Sequence, residues 1–166
     1  MKFWVVPAIL ATAMAATPAW AKTFKISDDN PIATVTIPDE WQPDEIDNGA
    51  QGTSPDGTTY IAIEAVAAAD AKAATEDSMK MLLKDPDTKV DQSSMKTQDI
   101  DINGRKGVDI RFAGTNKDGP QEYEITFLPA STGDKAVLLT FWGSPEGDKA
   151  NGVALDAIQK SLTFLK

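Results

Sequence analysis

Alternating apolar and polar residues predict β-strands along most of the chain. The strands indicated by this alternation span residues 23–27, 32–37, 58–66 and 121–128. Pro38 ends the second of them, because proline has no N–H to donate to a neighbouring strand. The segment 135–142 is apolar on both faces, which predicts a central strand that is covered on both sides.

Two helices are predicted from apolar residues at helical spacing. The first follows an alanine-rich connection over 67–74, with Thr75 as N-cap because acidic residues then occupy the first turn, and it ends before Pro86. Its apolar residues are Met79, Leu82 and Leu83. The second begins with Ser144 as cap and Pro145 at the first helical position. Its apolar stripe comprises Val153, Ala154, Ala157, Ile158, Ser161, Leu162 and Leu165.

The hairpin at Asn103-Gly104 poses a question of register. A two-residue turn would pair Ile102 with Arg105 and place Ile102 on the face opposite Val108. We therefore predict a bulged loop of about three residues, which pairs Asp101 with Arg105 and gathers the apolar residues on one face.

Two polar segments are predicted to lack long strands. Residues 44–57 are rich in Asp, Gly, Pro and Ser, which favours a loop or a short edge strand. Asp85-Pro86-Asp87 and Asp91 indicate a solvated turn.

The first residues have the pattern of an export signal. Lys2 precedes an apolar run of roughly 14 residues, which is shorter than the ~20 that span a bilayer, and small residues lead to Ala21. We predict a cleavable signal peptide over 1–21, with cleavage after Ala21, and a single mature domain over 22–166 in the periplasm. A membrane anchor is the alternative, and the length of the run favours cleavage.

Composition excludes several classes of chemistry. The 166-residue chain has no Cys and no His, which removes thiol catalysis, Ser-His nucleophile pairs and the usual zinc ligands. Its formal net charge of −9 disfavours nucleic acids and anionic membranes, because both are bound by basic side chains. We predict no cofactor, no metal and no stable membrane insertion after cleavage.

Candidate site residues are aromatic or acidic. Trp41, Trp142 and Tyr60 are the candidates for a ligand or partner surface, although a Trp after an apolar strand is also typical of core packing. The acidic candidates on neighbouring strands are Asp99, Asp101, Asp109, Glu122 and Glu124. A pair of them could catalyse hydrolysis or hold calcium, but the alternation places them on an exposed pleat, paired with Arg105, Lys106 and Arg111.

The order of short strands, helix, hairpins and closing helix resembles the PsbP/Mog1-like domains, which include DcrB-type bacterial envelope proteins. The resemblance is carried by Ile32–Ile37 with Pro38-Asp39-Glu40-Trp41, by the turn Ile100-Asp101-Ile102-Asn103-Gly104-Arg105, and by the final amphipathic helix. It implies an α+β fold in which an antiparallel sheet of about six strands packs between helices, an α/β/α sandwich. It also implies an accessory or binding role rather than an enzymatic one.

The sequence therefore predicts a non-catalytic periplasmic binding protein that contacts an envelope protein or a small apolar molecule. A carboxylate-based, glycosidase-like hydrolase and a calcium-binding envelope protein are the alternatives.

Overall fold

The main feature of the fold is a seven-stranded antiparallel sheet. The computed structural model describes residues 20–82, 84, 86–131 and 133–166. The strands of the larger sheet are β3 (Asp44–Ile46), β4 (Gly49–Thr53), β5 (Thr59–Ala67), β6 (Lys89–Ile102), β7 (Arg105–Asn116), β8 (Gly119–Pro129) and β9 (Lys135–Gly143). From edge to edge the order is β3-β4-β5-β9-β8-β7-β6, and every neighbouring pair is antiparallel. The predicted antiparallel sheet is confirmed, with slightly more strands than expected.

A smaller sheet is built from both ends of the described chain. It comprises β1 (Ala21–Ile26), β2 (Ala33–Pro38) and β10 (Thr163–Phe164), with β2 in the middle. The first two strands were predicted from their alternation. The pairing of β10 with β2 brings the end of the chain beside its beginning.

Two helices lie against the larger sheet, α1 (Ala71–Leu82) and α2 (Pro145–Ser161). The start of α2 is as predicted: the Ser144 hydroxyl oxygen accepts a hydrogen bond from the Gly147 N–H at 3.0 Å. The predicted N-cap of α1 at Thr75 is wrong, because the helix already begins at Ala71, within a run of alanines that favours helix. Leu83 lies outside the described residues.

The larger sheet is covered on both faces, as an α/β/α sandwich requires. One face packs with α2 and the smaller sheet, and its core includes Ile61, Ile63, Val137, Leu155 and Ile158. The other face packs with α1, and its core includes Phe112, Tyr123, Ile125, Leu138 and Met79. The central position predicted for the strand over 135–142 is confirmed, since β9 lies between β5 and β8.

The hairpin between β6 and β7 differs from the prediction. Ile102 pairs with Arg105 across a two-residue turn, and Asn103 and Gly104 both have positive φ, 54° and 79°. The bulged loop was expected because the prediction assumed that only one face of the sheet is buried. In the structure Ile102 packs with the α2 side of the sheet and Phe112 with the α1 side, so both faces are buried.

The segment 44–57 contains a short edge strand, β3, which was one of the two expectations, and a second strand, β4, which was not expected. Gly49 permits the close pairing of β4 with β5, because an added Cβ would lie 2.1 Å from the Ile63 carbonyl oxygen. Low intrinsic strand propensity is here overridden by pairing with a buried neighbour.

Asp91 also lies within a strand, β6, and not in a solvated turn. Its carboxylate accepts hydrogen bonds from the N–H and hydroxyl of Ser93 at 2.9 and 2.6 Å, where β6 leaves its register with β7. Asp85 lies outside the described residues.

Candidate functional site

A groove runs between α2 and the sheet face formed by β7, β8 and β9, and we call it the α2 groove. Its volume is about 470 Å³. The apolar part of its lining includes Ile61, Leu139, Phe141, Gly152 and Leu155. The polar part includes Arg111, Glu124 and Thr126 on the sheet and Asp148 and Gln159 on the helix. Such a mainly apolar cleft with a few convergent polar groups is typical of small-molecule sites.

A buried carboxylate underlies the polar end of the α2 groove. The side chain of Asp109 on β7 is fully buried, and it accepts three hydrogen bonds. Its donors are Gln98 Nε2 at 2.9 Å, Arg111 Nε at 2.8 Å and Thr126 Oγ1 at 3.0 Å. Because these donors compensate for its burial, Asp109 acts as a fixed support for Arg111.

Glu124 completes this cluster from the neighbouring strand β8. Its carboxyl group lies 3.0 Å from Arg111 Nη2 and 3.3 Å from the Thr126 hydroxyl. Burial and the adjacent charge of Asp109 raise the pKa of Glu124 to about 7, although Arg111 opposes the shift. Near neutral pH, Glu124 is therefore divided between its protonated and ionised forms.

Arg111 is the most exposed member of the cluster at the groove, since about half of its side chain is exposed. Partial burial lowers its pKa, but the charges of Glu124, Asp109 and, from α2, Asp148 raise it overall. The guanidinium group is therefore held by two carboxyl groups while it faces the α2 groove.

The expectation that all these acids lie on an exposed pleat is wrong for Asp109 and Glu124. The pleat that carries them faces α2, which covers it. Asp99, Asp101 and Glu122 are exposed as expected. The predicted cross-strand pairing with Arg111 is confirmed by its contact with Glu124.

Arg105 and Lys106 were also expected to pair with acids. Arg105 instead donates to the Ser131 hydroxyl at 2.8 Å and lies over the Phe164 ring. Among the described residues, Lys106 forms no salt bridge with the acidic strand residues.

Two of the three aromatic candidates come together. The rings of Tyr60 on β5 and Trp142 on β9 stack with their centroids 3.8 Å apart, and the Tyr60 hydroxyl donates to Gln51 Oε1 at 2.6 Å. This aromatic pair borders a second cleft of about 500 Å³ at the end of the sheet. Whether the pair binds a ligand stays a prediction.

Trp41 lies elsewhere. It ends a 3-10 turn over Asp39–Trp41, and its side chain is fully buried in the core beside Ile37. Trp41 was a candidate for a binding surface, but its side chain is not exposed there. It packs in the core instead, which was the alternative, because the turn that holds it directly follows the buried strand β2.

Metal sites and membrane helices are not found in the described part of the chain. No group of three or more acidic side chains there could hold a metal ion. No helix in residues 20–82, 84, 86–131 and 133–166 is long and apolar enough to cross a membrane.

Sequence reasoning singled out the acids but not the α2 groove. Asp109 and Arg111 share a face of β7, and Glu124 is the register partner of Arg111 on β8. The sequence spacing and strand register therefore indicated that these three side chains share one face of the sheet. The sequence did not indicate which face α2 would cover.

The fold was compared with known proteins. No protein-family model matches the chain, and a search of curated proteins finds no similar sequence. Solved structures do match. The solution structure of cyanobacterial PsbP (CyanoP) from Synechocystis sp. PCC 6803 has a TM-score of 0.57 at 10% identity, covering 94% of this chain and 99% of that one.

Two further structures are similar. LpqN, which is involved in cell envelope biogenesis of Mycobacterium tuberculosis, has a TM-score of 0.51 at 11% identity, covering 88% of this chain and 92% of that one. A Bacteroides thetaiotaomicron VPI-5482 protein has a TM-score of 0.55 at 16% identity over 87% of this chain. The matched region is 48% of that protein, so this chain spans about half its length. The resemblance to PsbP/Mog1-like domains is thus confirmed at the level of the fold.

Proposed function

We propose that this protein is an exported, non-catalytic binding protein of the bacterial envelope, and that the α2 groove holds a small molecule with an apolar body. The observation that carries the proposal is the groove itself, which combines an apolar lining with one supported guanidinium group. The apolar wall would contact the body of the ligand, and Arg111 would fix its polar end.

The carboxyl groups in the groove favour binding over hydrolysis. Both carboxyl groups contact Arg111 and the Thr126 hydroxyl, so the two groups lie side by side. Glycosidases need carboxyl groups that are at least ~5 Å apart with the sugar between them. Asp109 is also fully buried, so a substrate could not touch it.

The test fills the groove without disturbing the core. At Gly152, an added Cβ meets no atom within 4 Å, so Gly152→Leu would extend into open space, and replacing a helical glycine also favours the helix. The matched control is Val153→Leu on the same helix, at a side chain that is 87% exposed.

Two measurements report on the groove. The protein is purified from envelope extract and examined by native mass spectrometry for bound small molecules. Binding of the neutral apolar probe N-phenyl-1-naphthylamine is then followed by fluorescence. We expect Gly152→Leu to weaken probe binding about tenfold and Val153→Leu to leave it unchanged. Equal binding by both variants, or a protein that emerges without ligand or partner, would contradict the proposal.

A protein partner is the second candidate, favoured by the long edge strand β6. This strand of 14 residues is the last in the larger sheet, so its outer edge is available for strand addition. Proline substitution at Gln98 would interrupt such pairing but would also disturb Asp109. Crosslinking in envelope extract is therefore the better test, and crosslinks that map to β6 would favour a protein partner.

A further inference from the structure

Four aromatic side chains form a row across the face of the larger sheet that packs with α1. The register aligns Tyr60 on β5 with Trp142 on β9, Trp142 with Tyr123 on β8, and Tyr123 with Phe112 on β7. Phe112 and Tyr123 are buried, whereas Tyr60 and Trp142 are half-buried. The row therefore begins in the core and ends at the second cleft, which we call the aromatic cleft.

Three connections surround the aromatic cleft: β4 to β5, β7 to β8, and β9 to α2. They supply Asp56, Asp118 and Ser144 as polar lining, and Asn116 at the end of β7 adds to it. The Asp56 carboxylate is held by Ser54 Oγ at 2.6 Å and Thr58 Oγ1 at 2.8 Å. The lowered pKa of Asp56, caused first by the Ser54 hydroxyl and then by Thr58, keeps this group ionised.

Gln121 gives the strongest indication of a ligand. It lines the aromatic cleft on β8 and is only 6% exposed. Among the described residues, its side-chain amide forms no hydrogen bond, yet none of its polar atoms is sealed from solvent. The amide donor and acceptor are therefore open to the cleft without a protein partner in the described part of the chain, and they are available to bond a polar group that enters it.

The chemistry of the cleft selects a class of ligand. Aromatic rings pack against the apolar C–H face of a sugar ring, while amide and carboxylate groups bond its hydroxyls. The ionised Asp56 carboxylate would repel phosphates and other anions, whereas the Asp118 carboxylate is paired with Lys117 Nζ at 2.6 Å. We propose that the aromatic cleft binds a neutral saccharide, with one sugar ring against the exposed part of the stacked Tyr60–Trp142 pair and its hydroxyls bonded to Gln121. This site lies apart from the α2 groove and does not depend on it.

The experiment uses three neutral hexasaccharides as probes: cellohexaose, maltohexaose and chitohexaose. Binding to the chain that begins at Lys22 is measured by isothermal titration calorimetry and by saturation-transfer NMR. We expect at least one of them to bind with a Kd of about 1 mM or tighter. Gln121→Met keeps the volume of the side chain but removes its amide, and should weaken binding at least about tenfold.

Two further variants separate ligand binding from folding. Trp142→Phe keeps an aromatic ring with a smaller face and should weaken binding several-fold, about three to ten. Gln159→Met removes an amide from the α2 groove and should leave saccharide binding unchanged. The melting temperature of each variant verifies that it is folded.

Three outcomes would overturn the proposal. The first is that none of the three saccharides binds at millimolar concentration. The second is that a folded Gln121→Met variant binds as well as the parent chain. The third is that adenine, a planar aromatic probe, occupies the cleft while the saccharides do not. Because Gly152→Leu alters only the α2 groove, failure of the proposed function remains distinguishable from failure of this inference.

Discussion

Asp109 is the side chain on which the polar floor of the α2 groove depends. It is fully buried and accepts hydrogen bonds from Gln98, Arg111 and Thr126. Its role depends on the fact that α2 covers its face of the sheet. On an uncovered face, the same carboxylate would be a solvated surface acid.

Removing this carboxylate should destabilise the protein strongly. We expect Asp109→Ala to lower the free energy of unfolding by about 3–5 kcal/mol, because Arg111 loses a partner and buried donors are left unpaired. Asp109→Asn, which keeps an acceptor oxygen, should cost about 1–2 kcal/mol. Urea unfolding gives both values. The control is the exposed Asp99→Asn, expected within about 0.5 kcal/mol of the parent, and an Asp109→Ala cost as small as that would contradict the burial argument.

Glu124 should make stability depend on pH. Its pKa is about 7 in the folded protein and 4.5 in the reference state. The folded state therefore binds the proton more tightly, and this contribution is complete below pH 4.5 and is lost as the pH rises through 7. From the shift we expect a loss of about 1–3 kcal/mol across this window.

The measurement compares the parent chain with Glu124→Gln by urea unfolding at closely spaced pH values. The glutamine cannot ionise, so the difference in stability between the two proteins should change in favour of the variant as the pH rises. A difference that stays constant between pH 4 and 8 would show that Glu124 has an ordinary pKa.

At the scale of elements, the β6–β7 hairpin and the end of α2 are joined by one side chain. Asn103 Nδ2 lies 2.7 Å from the Leu162 carbonyl oxygen and 3.1 Å from that of Lys160, so it caps carbonyl groups at the end of the helix. The same residue has a φ of 54°, which asparagine tolerates better than most residues. The two-residue turn thus serves both the sheet and the helix.

Substitutions at Asn103 should separate these two contributions. Asn103→Gly keeps the backbone conformation and loses the capping bonds, for an expected cost of about 1 kcal/mol. Asn103→Ala adds the cost of a positive φ and should reach about 2 kcal/mol or more. Thermal and urea unfolding measure both.

Asn30→Ala is the matched control. It tests a positive φ of 53° at a residue whose side chain forms no hydrogen bond in the described part of the chain. If Asn103→Ala costs no more than Asn30→Ala, the capping role is refuted.

For the whole molecule, the proposed export has a direct test. We expect the mature protein to begin at Lys22, after cleavage at Ala21, and to appear in the periplasmic fraction. Intact mass and N-terminal sequencing of the protein from that fraction measure this. A substitution at the cleavage position, Ala21→Arg, should leave the longer precursor in the membrane fraction, and an unchanged mature mass would contradict the assignment.

The chain over 22–166 should also unfold as one unit. The core on the α2 side joins strands of the smaller sheet, through Val35 and Ile37, to Ile61 and Ile63 of the larger sheet. Because neither sheet can bury this face alone, we expect coincident transitions by tryptophan fluorescence and circular dichroism. Two separated transitions would indicate independent units instead.

The sequence by itself determined the features that depend on local pattern. The alternation in 32–37 and in 58–66, the doubly apolar strand over 135–142, and the Ser144 cap of α2 were all predictable. Periodicity and capping depend only on residues that are close in the sequence, so they can be predicted without knowing the contacts of distant segments. The order of these elements, together with short motifs, also indicated the fold.

Only the tertiary structure decided which face each strand buries and what covers it. The two-residue turn at Asn103-Gly104 is acceptable because α1 and α2 cover opposite faces of the sheet. The same covering buries Asp109, raises the pKa of Glu124 and forms the α2 groove. The aromatic cleft likewise depends on the register that brings Tyr60 beside Trp142. These features arise from contacts between segments far apart in the chain, which no local pattern encodes.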